Sequence, residues 1–386
     1  MSITDEVFTS ALLERVLENH LKTPSKVINV EIVKMLEPGE NFCGKMLRIF
    51  VTYAIKNRGN NHVLSMIAKC PLIDKGITTL LVEELNILER ESRFYEEVLP
   101  KMREIGVKKD FGPKLYYSLS TPSMILFLED LSAMGYDVKS RHEGLNLEHC
   151  LVALDKLAYF HGLSVVTHEK SPDIFNTFKD KGLLYNNKAI EENFSITYKE
   201  LLEICQKIEG FQQYHKKLVR IENIRERIYN ATKPSETFNV LNHGDFWCNN
   251  LMFKYHSDGR VEDVIFVDYQ LSYFASPFVD LHYFLSATIN LQVKEKHMTT
   301  IFNYYIDKLI LYLKELNVSE RPTRNELLDD FKKRAIIGRP TKKVPAYILN
   351  GIVSMFKQFS SIEIRFLNGI AVGECSKIGV KYQADQ

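Results

Sequence analysis

Residues 241–250 read LNHGDFWCNN. His243, Asp245 and Asn250 stand there in the pattern H-x-D-x-x-x-x-N, with the chain's only tryptophan, Trp247, among them. Polar residues that end an apolar stretch are ordinary loop chemistry. The same letters also fit a phosphoryl-transfer loop, where the Asp orients an attacking hydroxyl and the Asn holds a metal through its amide oxygen. The rest of the chain has to decide between the two.

Downstream, NLMFKYHSDGRVEDVIFVDYQ reads as a hairpin turned at Asp258–Gly259. Asp268 closes its second strand. A carboxylate at the carboxyl end of a strand, one short hairpin beyond Asn250, is where a metal-chelating Asp belongs in a kinase site. A turn cap would use the same residue. A zinc cluster of His243, Asp245 and His256 lacks a thiolate or glutamate at the usual spacing.

Upstream, Leu47, Ile49, Val51, Tyr53 and Ile55 alternate strictly, which predicts a half-buried strand. KNRGNNH turns the chain and VLSMIAKC forms a second strand, ending at Lys69 and Cys70. The loop PGENFCGK precedes the first of these strands, and its glycines let a backbone approach phosphates. It does not match G-x-G-x-x-G, and Pro-Gly is also a common turn. A helical pattern runs from about Thr79 to Leu99, with Pro100 expected to stop it. Glu91 in that helix could pair with Lys69, although Glu83, Glu84, Glu89, Glu96 and Glu97 compete for the role. Two short strands follow, near 114–119 and 123–128. From Leu147 the chain reads helical, with apolar residues at i, i+3 and i+4.

The bulk composition excludes several classes. Fifty basic and forty-nine acidic residues leave a net charge of +1 over 386 residues. No global field attracts nucleic acid or an anionic membrane. The N-terminal stretch MSITDEVFTSALLERVLENH is an amphipathic helix with Val7, Phe8, Ala11, Leu12 and Val16 on one face, and not a signal peptide. No later run is expected to span a membrane. Six scattered cysteines without a C-x-x-C pair suit reduced thiols in a cytoplasmic protein. The N-x-S/T sequons at Asn193, Asn230 and Asn317 would then be chance matches.

Glycine loop, strand lysine, helical glutamate, hinge, H-x-D-x-x-x-x-N and strand-end Asp stand in the order a kinase fold requires. The expected fold is α+β and bilobal, protein-kinase-like. A small β-rich N-lobe would span 1–131, with the N-terminal helix, the nucleotide-binding sheet and the Glu-bearing helix. A larger, mainly helical C-lobe would span 132–386.

HGDFWCNNLMF followed by VIFVDYQ resembles the ecdysteroid kinase-like branch of the choline kinase and aminoglycoside phosphotransferase group. GENFCGKMLRI, ERESRFYEEVLP, ILFLEDL and LAYFHGLS support the resemblance. It implies ATP and Mg2+ as cofactors, with Asp245 as catalytic base and Asn250 and Asp268 as metal ligands. Lys69, also catalytic, and its partner Glu91 would hold the phosphates. The loop from Gly39 through Asn41 to Gly44 would cover them, and Glu129–Leu131 would meet adenine through the backbone. Asp280 resembles a buried Asp that braces the catalytic loop, although a helix cap would also explain it. The implied acceptor is a small molecule bearing a hydroxyl. An ecdysteroid is favoured, with choline, ethanolamine or a hydroxylated toxin as alternatives, and a catalytically inactive binding protein as a third reading. DYQ stands where protein kinases have D-F-G, and the short span to SPFVD leaves no room for a protein-kinase activation segment. Aromatic stripes such as LHYFLSATINL, IFNYYIDKLILYL and SMFKQFSSIEIRFL read as core before pocket.

Overall fold

A strand with one dry face needs alternating side chains, and Leu47, Ile49, Val51 and Tyr53 are all buried while the residues between them are half-buried. They lie in β2 (Lys45–Ile55), part of a five-stranded antiparallel sheet ordered β1-β2-β3-β5-β4. The other strands are β1 (Ser25–Lys34), β3 (Asn61–Cys70), β4 (Leu115–Leu119) and β5 (Ile125–Glu129). The structure, a computed structural model, describes residues 7–35, 45–56, 59–71, 87–106, 109–121, 123–141, 143–179, 188–207 and 211–337.

Helix α1 (Ser10–Leu21) begins at Thr9, whose hydroxyl accepts the Leu12 N–H and so satisfies a donor the helix cannot. Its apolar stripe, Leu12, Leu13, Val16 and Leu17, packs into one core with Leu47, Ile49, Val51, Met66, Ala68 and Phe127 of the sheet. The period of two then turns Lys69 to the opposite face of β3 from Met66 and Ala68. On β2, Arg48 alternates away from the same core.

The helix bearing Glu91 does not stop at Pro100. It runs as α2 (Ile87–Arg93), a π turn (Phe94–Val98) and α3 (Leu99–Ile105). In the π turn the Leu99 N–H bonds to Phe94 O, five residues back. That slip places Pro100 in the first turn of α3, where a missing N–H costs nothing. Sequence reading treats proline as a helix stop because it assumes an unbroken i−4 ladder.

Two compact units share the chain. The first comprises Met1–Lys139 with Leu251–Gln270, the second Ser140–Asn250 with Leu271–Gln386. The first thus extends past residue 131 and takes in the hairpin that ends at Asp268. The physical reason is strand pairing. β8 (Leu251–Tyr255) pairs antiparallel with both β9 (Val261–Phe266) and β6 (Asp137–Val138), and the Tyr136 hydroxyl donates to Asp263. Gly259, at φ +83°, makes the hairpin turn.

The second unit is mainly helical, so the fold is α+β. Its α4 (Leu147–Lys170) is capped by Asn146, whose side chain accepts the His149 N–H. Among the described residues, α5 (Lys188–Lys207), α6 (Gln212–Leu218) and α7 (Ile224–Thr232) precede β7 (Val240–Asn242), which is antiparallel to β10 (Tyr273–Ala275). Next are α8 (Phe278–Ala287), α9 (Leu291–Lys296), α10 (Met298–Glu315) and α11 (Arg324–Lys333). Buried Leu154, Leu157 and Phe160 of α4 and Ile301, Tyr305 and Leu309 of α10 belong to its interior. The stripes in α8 and α10 are therefore core, and the third stripe, 354–367, lies outside the described residues.

Contrary to expectation, α4 is long and apolar enough to cross a membrane by length and composition. Most of it is buried inside the protein, as in a core helix. Of the cysteines, Cys70, Cys150, Cys205 and Cys248 are free thiols.

If the π turn relieves Pro100, then Pro100→Ala should change unfolding free energy by less than about 1 kcal/mol in guanidinium titrations. A gain near the ~3 kcal/mol expected for removing a mid-helix proline would contradict that account.

Candidate active site

Lys69 stands next to last in β3, between Met46 of β2 and Leu126 of β5. It is only 4% exposed. Its ammonium donates to Glu91 Oε2 at 2.5 Å and to Asp268 Oδ1 at 2.6 Å. Burial alone would drive the lysine toward its neutral form, but Asp268 and Glu91 outweigh it and hold the pKa above the ordinary value. Burial, reinforced by Asp268, lifts the Glu91 carboxyl to about 7 against the opposing pull of Lys69 and the Tyr269 backbone N–H.

Among the described rivals, Glu89 and Glu97 pair with Arg93, and Glu96 bonds Ser92 and Ser118. Helical phase explains the difference. Glu91 lies on the buried face of α2 with Ile87 and Leu88, so its carboxylate turns inward.

Asp268 adopts φ +70°, a conformation that few residues other than glycine and asparagine or aspartate tolerate. The turn is held by the residue after it. Tyr269 is fully buried, its ring stacked on Phe94 at 3.6 Å with an interplanar angle of 13°. Its hydroxyl donates to Phe111 O at 2.7 Å. Tyrosine in place of the phenylalanine of D-F-G thus has a partner for its polar atom. Gln270 Nε2 donates to Asp268 Oδ2 at 3.1 Å, a contact that no spacing rule in the sequence singles out.

At the carboxyl end of β5, the Glu129 N–H bonds Lys114 O, and Leu131 O accepts from Tyr136 N. Between them, buried Asp130 is held by the Ser65 hydroxyl at 2.5 Å and by the Arg48 guanidinium at 2.8 Å. Its side chain also caps the turn Leu131–Met134 by accepting the Ser132 N–H.

In the second unit, β7 delivers His243 and Gly244 into a fixed loop. Asp280 Oδ2 accepts the His243 N–H at 2.6 Å, and Oδ1 accepts the Gly244 N–H at 2.9 Å. The Ser272 hydroxyl donates to His243 O. Gly244 has φ +84°, and a Cβ there would lie 2.0 Å from Leu271 O, so only glycine fits. Asp280 also meets His161 Nε2 at 3.2 Å, and His161 Nδ1 lies 2.6 Å from the Tyr305 hydroxyl. Burial lowers the His161 pKa, partly offset by Asp280. The neutral ring then donates from Nε2 to the acceptor-only carboxylate and accepts from Tyr305.

The loop ends in a pair. Asn250 Nδ2 donates to Asp245 Oδ2 at 3.1 Å and to Asp245 O at 2.9 Å. The Asp245 acceptors fix the amide orientation, so Asn250 Oδ1 is not spent on Asp245. Trp247 is half-buried against Ala231, Tyr273, Val279 and Tyr283, which makes it part of the loop's packing.

The sequence-predicted residues therefore fall into two sets. Lys69, Glu91 and Asp268 meet in the first unit, where Glu129 and Leu131 also lie. Asp245 and Asn250 meet in the second. Gly39, Asn41 and Gly44 lie outside the described residues. Gln270, Tyr269 and the Asp130 pin escaped sequence reading. The one signal for Gln270 was its place two residues after Asp268.

The family model for the ecdysteroid kinase-like family matches residues 38–318, which contain both sets. The chain belongs to that family. It is thus a member of a small-molecule kinase family, with phosphotransfer as its class of reaction. Among solved structures it is similar to APH(2")-IIia in complex with GDP and kanamycin. That likeness has 12% identity and a TM-score of 0.38, covering 96% of this chain and 97% of that one. It is also similar to a choline/ethanolamine kinase family protein from Mesorhizobium loti, with 11% identity and a TM-score of 0.37. There the coverage is 84% of this chain and 92% of the other. No curated protein matches in sequence.

Asp280→Asn would set amide N–H groups against the backbone N–H donors that the carboxylate now accepts. Urea unfolding should show a loss of about 2–5 kcal/mol, the cost of orphaning buried donors. An unchanged midpoint would mean that Asp280 does not hold the loop.

Proposed function

We propose that this protein transfers the γ-phosphoryl group of ATP to a hydroxyl of an ecdysteroid. The favoured position is the C-22 hydroxyl, as in an insect ecdysteroid 22-kinase, giving an inactive storage conjugate. The observation that carries the kinase reading is the buried Lys69 ammonium between Glu91 and Asp268. A fully desolvated lysine held charged by two carboxylates is costly to build and suits a phosphate site. Family membership supports the steroid acceptor. The use of ATP goes with a cytoplasmic location, and the two units would act as the two lobes of a kinase.

The proposed roles follow from donors and acceptors. Lys69, oriented by Glu91, steadies the nucleotide phosphates as a point charge. The backbone at Glu129–Leu131 meets the base, and the 39–44 loop covers the phosphates. Asp245, held by Asn250 and by the braced backbone of the loop, orients the acceptor hydroxyl and takes its proton as the new oxygen–phosphorus bond forms and the bond from the γ-phosphorus to the bridging oxygen breaks, releasing ADP. Positioning supplies most of the rate enhancement.

By donor type alone, Asp268 and Asn250 would suit a magnesium ion. Asp268 offers a carboxylate and Asn250 an amide oxygen, both hard donors. Magnesium is commonly held by one or two protein groups with phosphates and waters completing the shell. It needs no cluster of three His, Cys, Asp or Glu, and none occurs among the described residues. When bound, the ion would supply neutralising charge to the phosphates.

Two measurements test the reading. Asp268→Asn should abolish phosphoryl transfer with the circular dichroism spectrum unchanged, and near-normal turnover would remove its metal role. In an acceptor screen with labelled ATP and Mg2+, ecdysone should be labelled. Transfer to choline and to no steroid would replace the acceptor, and nucleotide binding without any transfer would favour an inactive binding protein.

A further inference from the structure

Gln270 has both ends of its amide committed to charged groups. Nε2 donates to Asp268 Oδ2 at 3.1 Å, and Oε1 faces Lys69 Nζ at 3.4 Å. Lys69 in turn donates to Asp268 Oδ1 at 2.6 Å. Ammonium, carboxylate and amide thus close a ring. Gln270 is 5% exposed, so its polar atoms must find partners inside the protein, and these are the ones they find. The partners also fix the amide's orientation. Only the NH2 end can face an acceptor-only carboxylate, and only the oxygen can face the ammonium.

The left-handed turn at Asp268, φ +70°, accounts for the reach. It folds the backbone back, so that the side chain two residues on returns to the Asp268 carboxylate. A neutral bridge also matters electrically. Lys69 is already shared between Glu91 and Asp268, and a third carboxylate would compete for the same ammonium. Glutamine supplies a donor to Asp268 without adding charge.

The ring poses a problem that a nucleotide site must solve. While Lys69 is bonded to Asp268, each occupies the charge the other's ligand needs. When Lys69 turns to a phosphate, Asp268 loses its main restraint. We propose that Gln270 is a positioning residue for the nucleotide and metal site. Its amide holds Asp268 through Oδ2 when Lys69 leaves, so that Oδ1 is presented to the cation. This rests on the phosphotransferase reading above.

The test is equilibrium binding of ADP to the 386-residue chain, with and without Mg2+. In the wild type Mg2+ should tighten ADP binding. In Gln270→Met the metal-free affinity should be little changed, while the tightening by Mg2+ shrinks by about threefold to tenfold, the worth of one hydrogen bond. A Gln270→Met chain with wild-type tightening overturns the proposal. Gln270→Glu gives a second arm that does not depend on the first variant folding. With a third carboxylate beside Lys69, Mg2+ alone should raise the melting temperature of this variant and leave the wild type unmoved. The absence of a Mg2+-dependent shift in Gln270→Glu overturns the proposal as well. Failure of the wild type to bind ADP under any condition would instead remove the phosphotransferase reading.

Discussion

One ammonium organises the first unit. Lys69 is buried at the end of β3, and a lone charge there would cost more than the fold can supply. Glu91 and Asp268 must therefore be delivered to it from elements far apart in sequence. Glu91 arrives on a helix whose π turn lets it continue past Pro100. Asp268 arrives at the end of a hairpin drawn into the same unit by pairing with β6. The stack of Tyr269 on Phe94 ties the two arrivals together, because Phe94 lies one turn after Glu91. The same stack makes Asp268 and the Glu91 helix parts of one packed body. Tyr269, with its hydroxyl bonded to Phe111 O, is the wedge between them.

The second unit solves a different problem with the same economy of means. Its catalytic-loop candidate is short and polar, yet the backbone N–H groups at its entry are held by a side chain. Asp280 takes two of them, and His161 and Tyr305 hold Asp280 in turn. Gly244 supplies the one backbone conformation that the approach to Leu271 allows. Asp245 and Asn250 thus stand on a rigid support, as pre-organised chemistry requires.

Much of this was legible in the sequence wherever a period or a spacing carried it. Alternation in β2 marked its buried face, the i, i+3, i+4 pattern marked α4, and five-residue spacing marked Asp245 and Asn250. What was not legible depends on partners distant in the chain. Pro100 reads as a stop unless the π turn before it is known. The hairpin 251–270 follows Asn250 directly, yet it belongs with the sheet-bearing unit because strand pairing, not sequence order, decides. Gln270 has an ordinary side chain, and only the left-handed turn at Asp268 gives it a role. Trp247, whose place beside Asp245 suits packing under the loop better than substrate contact, is indeed half-buried in the loop's packing.

The central claim is that the shared Lys69 ammonium is the anchor for nucleotide phosphate. Isothermal titration of ATP with Mg2+ against the wild type and Lys69→Met tests it most directly, with circular dichroism as the check that the variant is folded. The account predicts saturable binding by the wild type and a loss of at least about tenfold in the folded variant, the scale of a hydrogen-bonded charge. Equal affinity in the two folded proteins would contradict it.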